Sequence, residues 1–339
     1  MRRNSKRKII LAAGIALIAI LLFWLVLRFV VNSSLLDEQF GDTGGWGNDI
    51  EETLITIGDT DYISLDDIDT YLLIGTDAGG EDLGEAYSGE LADVLVLLIV
   101  DNTTKKFAFY TIDRNTMTPV NVLNEDGSFN SAMDQQICLA HWYGLDDEQR
   151  NFNTVDAVSN LLGVLEIDNY YTLSMNDIGH LNNAIGGVEV KIDTDMTKID
   201  PAFENGKTVK LTDEQAEKYL RARYALEDAT NASRMGRQQQ YMQNAYTQVT
   251  GQVKENPEYI NDLYDKLKGY LKTDGSSKEV SVAVNHMMQY ENMGFIKFSG
   301  ETKINDTQGD GVEHEEFYVD DDSILDGLQK VINLREDDQ

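Results

Sequence analysis

Arg221, Arg223, Arg234 and Arg237 fall within one seventeen-residue stretch, RARYALEDATNASRMGR, of a chain that has 28 basic and 59 acidic residues. Guanidinium groups present paired donors in a plane and suit phosphate oxygens, so four of them together point to an anion clamp. The flanking sequence must bring them together. Arg221 and Arg223 are two positions apart and would diverge by about 200° on a regular helix. They converge only where the helix ends. In LTDEQAEKYLRARY, Thr212 stands three residues before Gln215, a capping-box spacing. A helix is therefore expected to start there and carry both arginines near its end, before the loop-like EDATNAS. Arg234 and Arg237 lie three apart, on one face of the next helix's first turn, where the amides would favour an anion. The alternative use of these arginines is surface pairing with Glu217, Glu227 and Asp228.

Alternating strand and helix patterns surround this stretch. YLLIGT (71–76) and VLVLLIV (94–100) are short apolar runs typical of strands buried on both faces. DNTTKK (101–106) reads as a turn and FAFYTI (107–112) as the returning strand. A helix is expected over 154–165, capped by Asn153 or Thr154. A strand at 169–175, a short helix at 176–185 and a strand at 188–192 follow. Beyond them come a long helical stretch over 233–270 interrupted near Pro257, a strand at 295–300 and a helix at 323–334. The pattern predicts an α/β fold, a mixed central sheet with helices on both faces.

The charge is unevenly spread. The first 31 residues hold six basic and no acidic residues, leaving 22 basic against 59 acidic in the remainder. A surface so negative repels nucleic-acid backbones, so no nucleic-acid partner is expected. Ile9–Leu27 is an uncharged apolar run that as a helix spans roughly 28 Å, close to the ~30 Å hydrocarbon core. Basic residues before it and acidic ones after it place the N-terminus in the cytoplasm. The segment NSSLL after it offers no small-x-small cleavage site, which favours an uncleaved anchor over a signal peptide. The expected organisation is a cytoplasmic tail (1–8), a single transmembrane anchor (9–31), an extracytoplasmic linker (32–68) and a folded domain (69–339). The motifs of that domain lie in 69–248, with a helical and strand part over 249–339. Cys138, the only cysteine, excludes an internal disulfide and reads as a buried small hydrophobe.

Several motifs, in this order, resemble the LytR–CpsA–Psr family of bacterial cell-wall proteins. YLLIGTD (71–77) is similar to the family's opening strand and GxD, and ADVLVLLIVD (92–101) to the segment after its R-S-D. TIDRNTMTPV (111–120) resembles the strand end with P-R-D-T, and LNNAIGGVEV (181–190) its D-x-L-G-G-V-x-V. RAR (221–223) and RMGRQ (234–238) resemble R-x-R and R-x-x-R-Q. The resemblance implies transfer of a glycopolymer from a polyprenyl-pyrophosphate carrier to peptidoglycan, through a phosphodiester link, in a Gram-positive-type envelope. It implies an apolar pocket for the lipid tail and a Mg²⁺ at the pyrophosphate. Carried over motif by motif, Arg114, Arg221, Arg223 and Arg234 would hold the pyrophosphate. Arg237, Gln238 and Asn115 would support it, Asp77 and Asp93 would face the metal, and Asp93 would also serve the chemistry.

The chain departs from the family pattern at Leu91 (arginine in R-S-D), at Asn115 (aspartate in P-R-D), at Asp113 (proline), at Asn183 and at Asn231. Asparagine can donate to phosphate but supplies neither charge nor a base. Two alternatives to transfer therefore stand: an envelope protein that only binds such lipids, and a pyrophosphate hydrolase. Asp77, Asp93 and Asp113 around one cation would speak for chemistry, and arginines alone for binding. Other chemistries find no pattern. The four histidines lack zinc spacing, no G-x-S-x-G occurs, and GTDAGGEDLG (75–84) lacks the order of a phosphate loop.

Overall fold

The computed structural model describes residues 52–78, 90–222, 231–307 and 311–337. The anchor expected over 9–31 and Arg223 lie outside the described residues, among which no helix is long and apolar enough to cross a membrane. In chain order, β1 (Thr53–Ile57) and β2 (Thr60–Ser64) form a hairpin, followed by β3 (Ile68–Ala78), β4 (Glu90–Asp101) and β5 (Lys106–Ile112). A second hairpin, β6 (Met117–Leu123) and β7 (Phe129–Gln136), leads through a 3-10 turn (Ile137–Trp142) to α1 (Asp147–Leu161). Then come β8 (Asn169–Ser174), α2 (Ile178–Ala184), β9 (Glu189–Lys191), β10 (Thr208–Lys210) and α3 (Asp213–Arg221). The rest comprises α4 (Asn231–Glu255), α5 (Tyr259–Leu267), β11 (Leu271–Thr273), α6 (Ser277–Gln289), β12 (Glu291–Lys297), the hairpin β13 (Gly300–Asn305) and β14 (His314–Val319), α7 (Asp321–Leu328) and β15 (Arg335–Glu336).

The six-stranded central sheet has the order β11-β8-β3-β4-β5-β12. It is mixed: β3, β4 and β5 are antiparallel, whereas β8 runs parallel to β3 and β12 parallel to β5. The apolar runs explain its centre, because β4 is buried on both faces. One face, with Leu72, Ile74, Leu95 and Leu97, packs on Ala157 and Val158 of α1 and on Ile324 and Leu328 of α7. The other, with Tyr71, Val96, Leu98 and Phe109, packs on Met242 and Tyr246 of α4, Tyr264 of α5 and Ala283 of α6. The DNTTKK turn closes because the Asp101 carboxylate accepts from the amides of Thr103 (2.7 Å) and Thr104 (2.8 Å).

Four boundaries differ from expectation. Residues 53–64, read as part of the linker, are folded. In TLITI the alternation buries Ile55 and Ile57 against the main core, and β15 adds a third strand to the hairpin. Acidic, glycine-dotted neighbours mask that alternation in the sequence. Helix α1 starts at Asp147, with Asp146 as its cap, while Asn153 and Thr154 are buried inside it. Asn153 spends its amide on the carbonyls of Asn121 and Ala140, tying α1 to the hairpin instead of starting a helix. The expected helix over 323–334 is α7, shorter and earlier, and the strand at 295–300 is β12, which ends at Lys297. The capping box at Thr212 is present in both directions, with each bond 3.2 Å. The long helical stretch breaks around Pro257, as the sequence implies.

Candidate active site

The candidate site lies where β3 and β4 approach the chain ends of α3 and α4. Opposite β3, β4 carries one extra residue: Gly75 pairs with Val94 and the next residue, Thr76, with Ala92. Asp93 is the residue left over, and such bulges re-aim a side chain. Gly75 permits the close approach, since a Cβ there would lie 2.8 Å from the Val94 Cβ. From the bulge, one Asp93 oxygen accepts from Arg114 and the other from Arg234, at 3.0 Å. All three side chains are nearly buried, with 14%, 10% and 8% exposure for Arg114, Asp93 and Arg234.

Asp77 lies further along β3, with Leu91 directly across on β4. Its carboxylate accepts from Arg221 at 2.9 Å, and Arg221 also donates to Asn176 (2.7 Å) and pairs with Glu217 (3.2 Å). Parallel pairing of β3 with β8, in register at Thr76 and Ser174, brings Asn176 beside Asp77. Burial pushes the Asp77 carboxyl above its ordinary range; Arg221 opposes this and the charge on Asp93 adds to it. The two carboxylates thus feel one another.

The helix break after Arg221 is real: Ala222 leaves helical geometry at φ −51°, ψ 118°. Arg237 explains how α3 ends where it does. Its guanidinium donates to the carbonyls of Tyr219 (3.2 Å) and Ala222, and to the Ser233 hydroxyl (2.9 Å). It caps the end of one helix from the start of the next, and so positions Arg221. Gln238 is buried and faces Asp93 across a small cleft. Asn115 is buried too, but its side-chain oxygen accepts from Gln136 at 3.3 Å and its carbonyl from the Phe317 amide at 2.9 Å. Asp113 accepts from the Asn115 amide at 3.0 Å, and no group of three metal-ligating residues forms among the described residues. Sequence reasoning missed Asn176 and the role of Cys138. The thiol is fully buried and accepts from Arg114 at 3.3 Å, and burial pushes its pKa up, so it stays neutral. Leu91, Leu139 and Trp142 pack around it.

An apolar cavity of 340 Å³, within the ~300–1,000 Å³ usual for ligand sites, lies on the sheet face that carries Tyr71 and Leu73. Tyr71 and Leu73 of β3 line it, together with Leu181, Met242, Tyr246 and Met287. Asp77 is on the same face of β3, about 13 Å beyond Leu73 at ~3.3 Å per residue. Apolar space and charged cluster therefore follow one another along a single strand.

The LytR_cpsA_psr family pattern matches residues 52–329, and the chain belongs to that family. Among curated proteins, the polyisoprenyl-teichoic acid–peptidoglycan teichoic acid transferase TagU of Halalkalibacterium halodurans is 27% identical over 146 residues, 43% of each chain. The matched stretch thus spans less than half of that relative's length. Solved structures share the fold at low identity. B. subtilis TagV gives a TM-score of 0.59 at 18% identity, covering 78% of this chain and 95% of its own. TagT bound to LIIa-WTA gives 0.56 at 19%, covering 78% and 89%.

Proposed function

We propose that the protein transfers a glycopolymer from a polyprenyl-pyrophosphate carrier to peptidoglycan, forming a phosphodiester link. The observation that carries this reading is the succession along β3 of an apolar cavity and an arginine–carboxylate cluster. A lipid tail in the cavity would leave its pyrophosphate at Arg114, Arg221 and Arg234. Two buried donors, the Nε–H groups of Arg114 and Arg221, have no acceptor among the described residues, a cost of about 1–3 kcal/mol each that phosphate oxygens could relieve. Membership of the family and the similarity to a teichoic acid transferase support the same reading.

The donor set also fits a magnesium ion. Asp77 and Asp93 are hard oxygen donors close enough for one charge to perturb the other, and Mg²⁺ binds through one or two carboxylates plus substrate phosphates. These two residues would hold it, and when bound it neutralises charge on the phosphates. The chain's own groups do the rest. Arg114 and Arg234 stabilise negative charge developing on the transferred phosphoryl group, and Asp93 fixes both guanidinium planes. Arg221 holds the second phosphate, oriented by Asp77 and Asn176. The apolar run at 9–31 would anchor the chain in the cytoplasmic membrane, with the folded domain outside and next to both substrates.

A binding-only protein is the second reading, favoured by two observations: no group of three metal-ligating residues forms among the described residues, and Leu91, across from Asp77, is 3% exposed and supplies no charge where the family has arginine. The test is a titration of the full-length chain in detergent with a polyprenyl pyrophosphate, with and without Mg²⁺, beside Arg221→Ala. Binding strengthened by Mg²⁺ and weakened by the substitution, with transfer to glycan strands, is expected. Arginine-dependent binding indifferent to Mg²⁺ and without transfer would favour the second reading, and release of phosphate without transfer a hydrolase. No binding would overturn all three.

A further inference from the structure

At the end of the central sheet away from Asp77, two acidic side chains are buried together. Asp101 ends β4, across from Ile68 at the start of β3, and Asp66 lies in the connection just before β3. Asp101 is fully buried and Asp66 is 8% exposed. One oxygen of Asp101 is taken by the Thr103 and Thr104 amides. Asp66 accepts from the Asn333 backbone amide at 2.8 Å and from the Asn333 side chain at 3.3 Å. The Thr104 hydroxyl donates to the Val331 carbonyl at 3.1 Å. Both acids thus sit where the C-terminal segment after α7 is fastened to the sheet.

The second Asp101 oxygen, Oδ2, is buried without a hydrogen-bond partner among the described residues, while the Asp66 carboxyl stands within hydrogen-bonding reach of Asp101. Ionised carboxylates only accept, so this contact becomes a bond only when one of the two carries a proton. No cation takes the proton's place. The charged side chains on the elements that meet here are Asp67 and Asp69, Lys105 and Lys106 before and at the start of β5, and Lys330 and Arg335 of the C-terminal segment. Among the described residues none of them forms an ion pair with either acid. Burial pushes the Asp101 carboxyl from its ordinary 3.8 up to about 6, and the facing Asp66 adds to the rise, against the Thr103 and Thr104 amides.

We propose that Asp66 and Asp101 share one proton and form a pH-sensitive clasp that holds the C-terminal segment on the central sheet. With the proton in place, the two carboxyls bond each other, Val331, Ile332 and Leu334 stay in the main core, and β15 stays paired with β2. When the proton leaves to solvent, two buried negative charges face each other with no cation between them, and the segment loosens to let water in. The clasp's contribution is full below about pH 3.8 and is lost as the pH rises to about 6. Because β15 completes the sheet of β1 and β2, the first elements of the folded domain, the clasp governs the layer that joins the domain to the chain before it. The inference does not depend on the transfer function, since the clasp lies at the opposite end of β3 and β4 from Asp77 and Asp93.

The test is amide hydrogen exchange on the full-length chain in detergent, read on peptides that hold residues 101–104 and 331–335 and corrected for the intrinsic rate at each pH. Exchange reports the segment's own opening, apart from other groups that titrate in this range. Protection of both peptides should fall about tenfold from about pH 5 to about pH 7.5. Asp101→Asn keeps an oxygen for the Thr103 and Thr104 amides and supplies a permanent donor towards Asp66. Its protection should stay level within about twofold over that range and exceed that of the unaltered chain at the upper end. Asp66→Asn places the donor on the other partner and should behave alike, so the test survives if one variant fails to fold. Level protection in the unaltered chain would overturn the clasp. So would an unchanged slope in both folded variants, which would assign the pH dependence to other groups. Added calcium that abolishes the slope in the unaltered chain, with chelator restoring it, would also overturn the shared proton, because the pair would then hold a cation.

Discussion

Arg234 donates to Asp93 at 3.0 Å across 141 residues of sequence, and Arg114 takes the other oxygen of the same carboxylate. One anion therefore holds two nearly buried cations side by side. Their mutual repulsion is tolerable only because Asp93 lies between them. The arrangement keeps two guanidinium groups aimed at one place before any phosphate arrives, which is the preorganisation that charge stabilisation in phosphoryl transfer requires.

Removing Asp93 should therefore be costly to the fold as well as to activity. Asp93→Ala leaves two buried guanidinium groups without their counter-charge and should destabilise the domain by about 3–5 kcal/mol. Asp93→Asn loses the same counter-charge but keeps one acceptor oxygen, and should cost about 3 kcal/mol, at the lower end of that range. Chemical denaturation of the two variants checks the order. Equal, negligible losses would mean that the ion pairs are solvated in the folded protein.

Arg221 and Arg237, sixteen residues apart, should separate binding from stability. Arg221 is one-third exposed, and its pairing with Asp77 and Glu217 is screened, so Arg221→Ala should change stability by only about 0–1 kcal/mol. It should weaken polyprenyl pyrophosphate binding roughly 10–100-fold, the value of one charge-assisted contact. Arg237→Ala instead strips the carbonyls at the end of α3 and should cost on the order of 2–3 kcal/mol. Lysine should rescue it poorly, because a single ammonium cannot reproduce the fork. Thermal unfolding and a lipid-binding titration on the same samples read both effects.

That division shows how far the sequence could be read. The Thr212 capping box and the helix break after Arg221 were legible, because both are local. Arg234 and Arg237, three apart, look equivalent in sequence; only the packing of α4 on the end of α3 sends one to Asp93 and the other to helix carbonyls. The bulge that aims Asp93 depends on register between two strands, which no single stretch encodes. Cys138 read as a hydrophobe, and burial bears this out, but its contact with Arg114 depends on where the 3-10 turn places it. The hairpin at 53–64 was hidden by its acidic surroundings, though the alternation in TLITI was present.

Stability should fall in mild acid because of His141. Burial lowers its pKa from 6.5 to about 4. The Thr154 hydroxyl donates to the Arg150 carbonyl, so the 3.0 Å contact with His141 assigns the proton to the ring's Nδ1. Between pH 6.5 and 4 the unfolded chain binds a proton that the folded one refuses, so this contribution is intact above 6.5 and is lost as the pH falls through the window. The full loss is about 3 kcal/mol. A His141→Gln variant should show a flatter profile of unfolding free energy against pH over that range. A profile parallel to the unaltered protein would place the acid sensitivity elsewhere.

The folded domain should begin near residue 52 and not at residue 69. Ile55 is fully buried in the main core and Ile57 and Tyr62 are nearly so. The Thr56 amide donates to the Gly163 carbonyl at 2.9 Å, fastening the hairpin to the end of α1. Gly163 has φ +71°, and a Cβ there would come within 2.3 Å of the Thr56 carbonyl oxygen. Ile55→Ala should cost about 2–5 kcal/mol through the cavity it leaves. Gly163→Ala should cost at least about 1–3 kcal/mol, since both backbone conformation and contact oppose the methyl group. A chain that starts at residue 50 should keep the thermal midpoint of the full-length protein, whereas one that starts at residue 69 exposes the core surface under β1 and should unfold at a clearly lower temperature. Matching midpoints for the two would mean that the hairpin contributes nothing to the fold, and the boundary expected from composition alone would then be the correct one.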